Sequence, residues 1–146
     1  MPMEPTPNPL PMKRERPLVL VAEDMGLQVR LMRLHLERAG YDVVAVADGI
    51  QALARCETDL PDLIMLDVEM PGLNGFQVLD KLRNSETTRR IPIIMLTAHA
   101  KDEPLFAEWA GSADCFMTKP FTPGTMLAEV GRILALRSDP DDELTA

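Results

Sequence analysis

Short apolar runs alternate with helically spaced stretches along most of the chain. Leu18-Val19-Leu20-Val21-Ala22 is apolar at every position, as a strand covered on both faces must be. Leu27, Leu31 and Leu34 follow at helical spacing, and Gly40 supplies a stop. Val43-Val44-Ala45-Val46 predicts a second strand, and residues 49–56 a short helix. Leu63-Ile64-Met65-Leu66 predicts a third strand, and the helix expected over 76–84 puts Phe76, Leu79 and Leu82 on one face. Ile93-Ile94-Met95-Leu96 predicts the fourth strand, 104–110 a weaker helix, and 115–118 the fifth strand. A last helix starts near Pro123, with Met126, Val130 and Ile133 inward. Five repeats of strand then helix imply a parallel sheet with helices on both faces, because right-handed crossovers place helices on each side. The expected architecture is a three-layer α/β sandwich.

The 146 residues leave room for one domain with a proper core, and a composition 46% hydrophobic and 26% charged is that of an ordinary globular protein. The ends differ from the middle. Residues 1–16 are proline-rich, close on Lys13-Arg14-Glu15-Arg16, and read as a flexible arm; residues 138–146 read as an acidic tail. The domain proper is then 17–137. A net charge of −8 argues against binding a nucleic-acid backbone. No apolar run approaches the ~20 residues of a membrane span. Pro2, Pro5, Pro7, Pro9 and Pro11 break any signal-peptide core, so the expected location is cytoplasmic, without membrane attachment. Cys56 and Cys115 lie far apart without a CxxC pattern and read as two reduced thiols.

Ligands of such sheets bind beyond the carboxyl ends of the strands. The first predicted strand ends in Glu23-Asp24, the third in Asp67, the fourth in Thr97-Ala98 and the fifth in Lys119-Pro120. Three carboxylates at one rim repel one another and raise each other's pKa. A divalent cation removes that conflict, and an all-oxygen site suits Mg²⁺. Lysine is no ligand for a cation, but it pairs with an anion. The set therefore has a place for a metal, a nucleophilic carboxylate and a phosphoryl group.

These residues resemble the receiver domains of two-component signalling, chemotaxis regulators included, over residues 17–137. The resemblance rests on five motifs in order: Val19-Leu20-Val21-Ala22-Glu23-Asp24; Gly40-Tyr41-Asp42-Val43-Val44 leading to Ala47-Asp48-Gly49; Asp67-Val68-Glu69-Met70-Pro71 with Gly75; Thr97-Ala98; and Lys119-Pro120-Phe121. It implies a doubly wound, flavodoxin-like fold with strand order 2-1-3-4-5. It also implies a role for each matching residue. Asp67 matches the phosphate acceptor. Glu23, Asp24, Asp67 and the backbone carbonyl of Glu69 match the Mg²⁺ ligands. Lys119 pairs with the phosphoryl oxygens, helped by backbone groups at Val68 and Ala98. Thr97 and Phe116 match the switch pair, and Glu69 and His99 occupy positions that adjust phosphate lifetime. The Lys119–Pro120 bond is expected to be cis.

The implied function is that of a stand-alone response regulator, since no output domain fits after Arg137. It would take its phosphoryl group from a sensor histidine kinase or a histidine phosphotransfer protein. It would then bind a downstream effector through the face made by the fourth helix, fifth strand and fifth helix, which Trp109 adjoins. Its chemistry is limited to self-catalysed phosphoryl acceptance and autodephosphorylation, so it is not expected to be an enzyme. A phosphorelay intermediate is the alternative. An Asp-nucleophile phosphatase fits poorly, because Val68-Glu69 stands where the second aspartate is needed. The oligomeric state stays open. Some features depart from the family's pattern: the first acid is Glu23, Met25-Gly26 follows the acidic pair, and Phe116 lacks a tyrosine hydroxyl.

Overall fold

Each apolar run becomes a strand of one sheet, and the computed structural model describes residues 15–98 and 111–137. The strands are β1 (Leu18–Ala22), β2 (Asp42–Val46), β3 (Leu63–Asp67), β4 (Ile93–Thr97) and β5 (Cys115–Thr118). They pair in parallel in the order β2-β1-β3-β4-β5, the order the resemblance implies. The described helices are α1 (Gly26–Arg38), α2 (Gly49–Asp59), α3 (Gly75–Arg83) and α4 (Pro123–Arg137). The helix expected over 104–110, Trp109 and His99 lie outside the described residues, as do residues 1–14 and 138–146.

Alternation along the strands divides the core in two. Leu20, Ile64, Leu66, Ile93 and Met95 pack on one side with Val78, Leu79 and Leu82 of α3. Val19, Val21, Leu63, Met65, Ile94 and Leu96 pack on the other with α1 and α4. β3 and β4 are buried at every position, which explains their uninterrupted apolar sequence. Burying one such Leu or Ile side chain is worth about 1.5–3 kcal/mol.

The inward residues of α3 and α4 are those expected: Phe76, Leu79, Leu82, Met126, Val130 and Ile133 are buried. The spacing in α1 misleads. Leu27, Leu31 and Leu34 are 69%, 47% and 41% exposed, whereas Met32 and Leu36 are buried. The helix carries two apolar stripes of equal periodicity, and spacing alone does not say which one meets the sheet. Helix starts follow capping chemistry. The Asp48 carboxylate accepts from Gln51 N–H at 2.8 Å, and Asn74 and Gln77 form a reciprocal box that starts α3 one residue before the predicted Phe76.

The amino-end rim of the sheet is closed by charged side chains on backbone groups. Asp62 Oδ2 accepts the Leu18 N–H that opens β1, and Asp114 Oδ2 accepts the Ile93 N–H that opens β4, both at 2.8 Å. The Arg83 guanidinium donates to the carbonyls of Ser112, Arg89 and Ile91 and to Asp114 Oδ2. Arg16, placed in the arm by composition, is tied down: it bonds Asp42 Oδ1 at 2.9 Å, the carbonyl of Glu37 in the last turn of α1 and that of Tyr41 beyond it.

Candidate functional site

The opposite rim gathers charge without backbone partners to absorb it all. Glu23, Asp67 and Lys119 continue the side of the sheet defined by Val21, Met65 and Met117, so strand parity brings them over one face. Lys119 Nζ donates to Glu23 Oε1 at 2.7 Å and to Asp67 Oδ2 at 2.8 Å. Glu23 is 1% exposed and Asp67 5% exposed, while Asp24 beside them faces solvent. One carboxylate oxygen from each of Glu23, Asp24 and Asp67 lies within 4.8 Å of the others.

Burial pushes the Glu23 carboxyl above its ordinary pKa; the Lys119 hydrogen bond opposes this and the neighbouring Asp67 adds to it. Burial also works against the Lys119 charge, but its hydrogen bonds and attraction to Asp67 and Glu23 outweigh it, and the ammonium titrates above its usual value. Three carboxylates against one ammonium leave a formal excess of two negative charges. A hard, oxygen-only donor set with that excess fits a divalent cation such as Mg²⁺.

The backbone is fitted as closely as the charges. The Lys119–Pro120 bond is cis, as expected, and Lys119 N–H donates to Thr97 O at 2.6 Å. A Cβ on Gly75 would lie 2.3 Å from the Asp67 carbonyl oxygen, and one on Gly49 2.3 Å from that of Leu73. The loop after β3 is thus wedged between the first residues of two helices, a restraint that glycines inside a motif hint at but do not reveal.

Thr97 is buried on the next strand, facing the other side of the sheet from Asp67. Met95 pairs with Phe116 and Thr97 with Thr118, so Thr97 and Phe116 are diagonal neighbours on one face, with Phe116 half-buried. The amide assigned at Val68 needs correcting. Val68 N–H is spent on Leu96 O at 2.9 Å, and the amide that reaches Asp67 Oδ1, at 3.1 Å, is that of Glu69. Ala98 is exposed at the end of β4.

A family model described as response regulator receiver domain matches residues 19–131. The chain belongs to that family. Receiver domains are regulatory phosphoacceptors that are phosphorylated on Asp, bind Mg²⁺ at an acidic site, and interact with histidine kinases and downstream effectors. The alkaline phosphatase synthesis transcriptional regulatory protein PhoP of Bacillus subtilis is 45% identical over 80% of this chain and 48% of its own length. The chemotaxis response regulator CheY4 of Vibrio cholerae aligns with a TM-score of 0.75 at 31% identity, over 81% of this chain and 98% of its own. The receiver domain of sensor histidine kinase PA1611 from Pseudomonas aeruginosa holds a magnesium ion in its active-site cleft. It aligns with a TM-score of 0.70 at 32% identity, over 82% of the present chain and 94% of its own.

The chain spans about half the length of PhoP. A relative of that length that regulates transcription removes the weight of net charge as an argument against nucleic-acid contact. Among the described residues, no helix is long and apolar enough to cross a membrane.

Proposed function

We propose that Asp67 accepts a phosphoryl group from the phosphohistidine of a sensor kinase, and that this receiver then switches its affinity for an effector protein. The observation that carries the proposal is Lys119 Nζ, held 2.8 Å from Asp67 Oδ2 at the mouth of the acidic cluster. A carboxylate oxygen of Asp67 attacks phosphorus in line; the new O–P bond forms as the P–N bond breaks, and the imidazole leaves. The protein's part is positioning and charge neutralisation. Glu23, Asp24, Asp67 and the Glu69 carbonyl are the residues that would hold Mg²⁺, which supplies positive charge to the transferring oxygens. Lys119 turns from the carboxylates to a phosphoryl oxygen, and the Glu69 and Ala98 amides donate to others. The Thr97 hydroxyl moves toward the phosphoryl group, and Phe116 turns into the space beside it. That repacks the surface over the segment after β4, β5 and α4.

Incubation with Mg²⁺ and acetyl phosphate, read by intact mass, is expected to add one phosphoryl group that Asp67→Asn abolishes. Modification persisting in the variant defeats the assignment. Label passing from Asp67 to a histidine protein, rather than to water, would make the receiver a relay intermediate.

A further inference from the structure

The amino-end rim holds a cleft of about 280 Å³ between the start of β4 and the last turns of α4, lined by Arg90, Pro92, Asp114, Arg132, Ile133 and Leu136. Its apolar wall is incomplete. Leu136 keeps 55% of its surface in solvent, against 9% for Leu134 two residues earlier. Its polar wall carries Arg90, Arg132 and Asp114, and the exposed Arg90 is the cation there that no acid holds among the described residues. Arg132 places Nε and Nη2 on one oxygen of Glu129. Asp114 is the carboxylate in the cleft, and it is committed to Arg83 and to Ile93 N–H.

α4 is described as far as Arg137, one residue past Leu136, so the following residues start beside this cleft. It continues Ser138-Asp139-Pro140-Asp141-Asp142-Glu143-Leu144: four carboxylates, then a leucine. Pro140 disfavours helical backbone at Asp139. At about 3.3 Å per residue it reaches every wall of the cleft. A tether this short gives an effective concentration on the millimolar scale, enough for ion pairs that would be too weak between separate molecules.

We propose that this cleft is the docking site of the chain's own acidic segment 139–144, with its carboxylates against Arg90 and Arg132 and Leu144 over Leu136. The match is of sign, chemistry and position together. It stands apart from the assignment of Asp67, which lies at the other end of the strands.

Heteronuclear ¹H–¹⁵N NOEs on the full chain test it, with Ala146, outside the proposed segment, as the internal reference. Asp141–Leu144 are expected to show clearly more positive values than Ala146 in the wild type. Arg90→Glu should bring them to the Ala146 level, and so should salt at about 0.5 M, where screening is nearly complete within a few ångströms. Adding Asp141→Arg and Asp142→Arg to Arg90→Glu should restore the restraint. Leu136→Ala, which leaves the charges alone, should lower it in part. Wild-type values equal to Ala146, or values indifferent to Arg90→Glu, overturn the proposal. Restraint that vanishes on dilution also overturns it, because the docked segment then belongs to a second copy.

Discussion

The two rims of the sheet use charge in opposite ways. At the amino ends, Asp62, Asp114, Arg16 and Arg83 each satisfy backbone groups that the sheet and helices leave open, and the two arginines also pair with Asp42 and Asp114. At the carboxyl ends, two buried acids and an exposed one crowd around a single lysine. The first arrangement is complete as it stands and serves stability. The second is short of positive charge until something enters from solvent, and that shortage is what a binding site requires. Function is therefore read from where the charges fail to balance, not from where they are numerous.

Breaking the unbalanced rim at Lys119 should give the largest effect. In Lys119→Ala, acetyl phosphate labelling should slow by about 100-fold, the scale for losing one preorganised charge on a transferring group. Mg²⁺ affinity, measured by titration calorimetry, should hold or rise, because Lys119 occupies two of the same acids. A collapse of affinity as deep as in Asp24→Ala would contradict the separation of anion and cation partners.

Breaking the balanced rim at Arg83 should cost stability and leave chemistry alone. Arg83→Ala strands three carbonyls and Asp114, a loss of about 2–3 kcal/mol in urea unfolding. The labelling rate per folded molecule should stay within about twofold; a large drop would mean that the rims are coupled.

Neutralising one acid at each rim sharpens the contrast. Asp114→Asn should destabilise by about 1 kcal/mol, while Glu23→Gln should leave stability within about 1 kcal/mol and weaken Mg²⁺ binding. Unfolded Glu23 loses its proton near 4.5 and folded Glu23 at higher pH. Between those values the folded state holds more protons, so this group makes stability fall as pH rises, and Glu23→Gln should remove that slope. Cation affinity should run the other way: it falls as pH drops toward that window, because the proton must leave first. A pH-independent Mg²⁺ affinity down to 4.5 would show that Glu23 is not a ligand.

The smallest effect is expected from removing residues 1–13, which retains Arg16. Thermal unfolding and labelling should both be nearly unchanged, and a marked loss of either would give the arm a structural role.

Much of this was legible in the sequence, for a physical reason. Strands buried on both faces must be apolar throughout, so β1, β3 and β4 stand within a residue of where the apolar runs put them, and the acids at the strand ends stand out against that background. What stayed hidden depends on three-dimensional choice. The rotation of α1 was open because Leu27-Leu31-Leu34 and Met32-Leu36 are equally good stripes. The Arg83 staple was invisible because its acceptors are mostly carbonyls, which every residue has, brought close from up to 31 positions away. The Val68 amide was misassigned because a strand's register decides which N–H is already spent, and that register carried one residue past Asp67.

The slots at Gly49 and Gly75 carry a consequence for tolerance to mutation. Neither residue has a side chain to offer, yet a single methyl at either would press on the loop that starts at Asp67. In a saturation scan scored on signalling, these two positions should be as unforgiving as the acids themselves, alanine included. A map of intolerance would then trace the outline of the site partly through residues that take no part in its chemistry: the mould would be as visible as the casting.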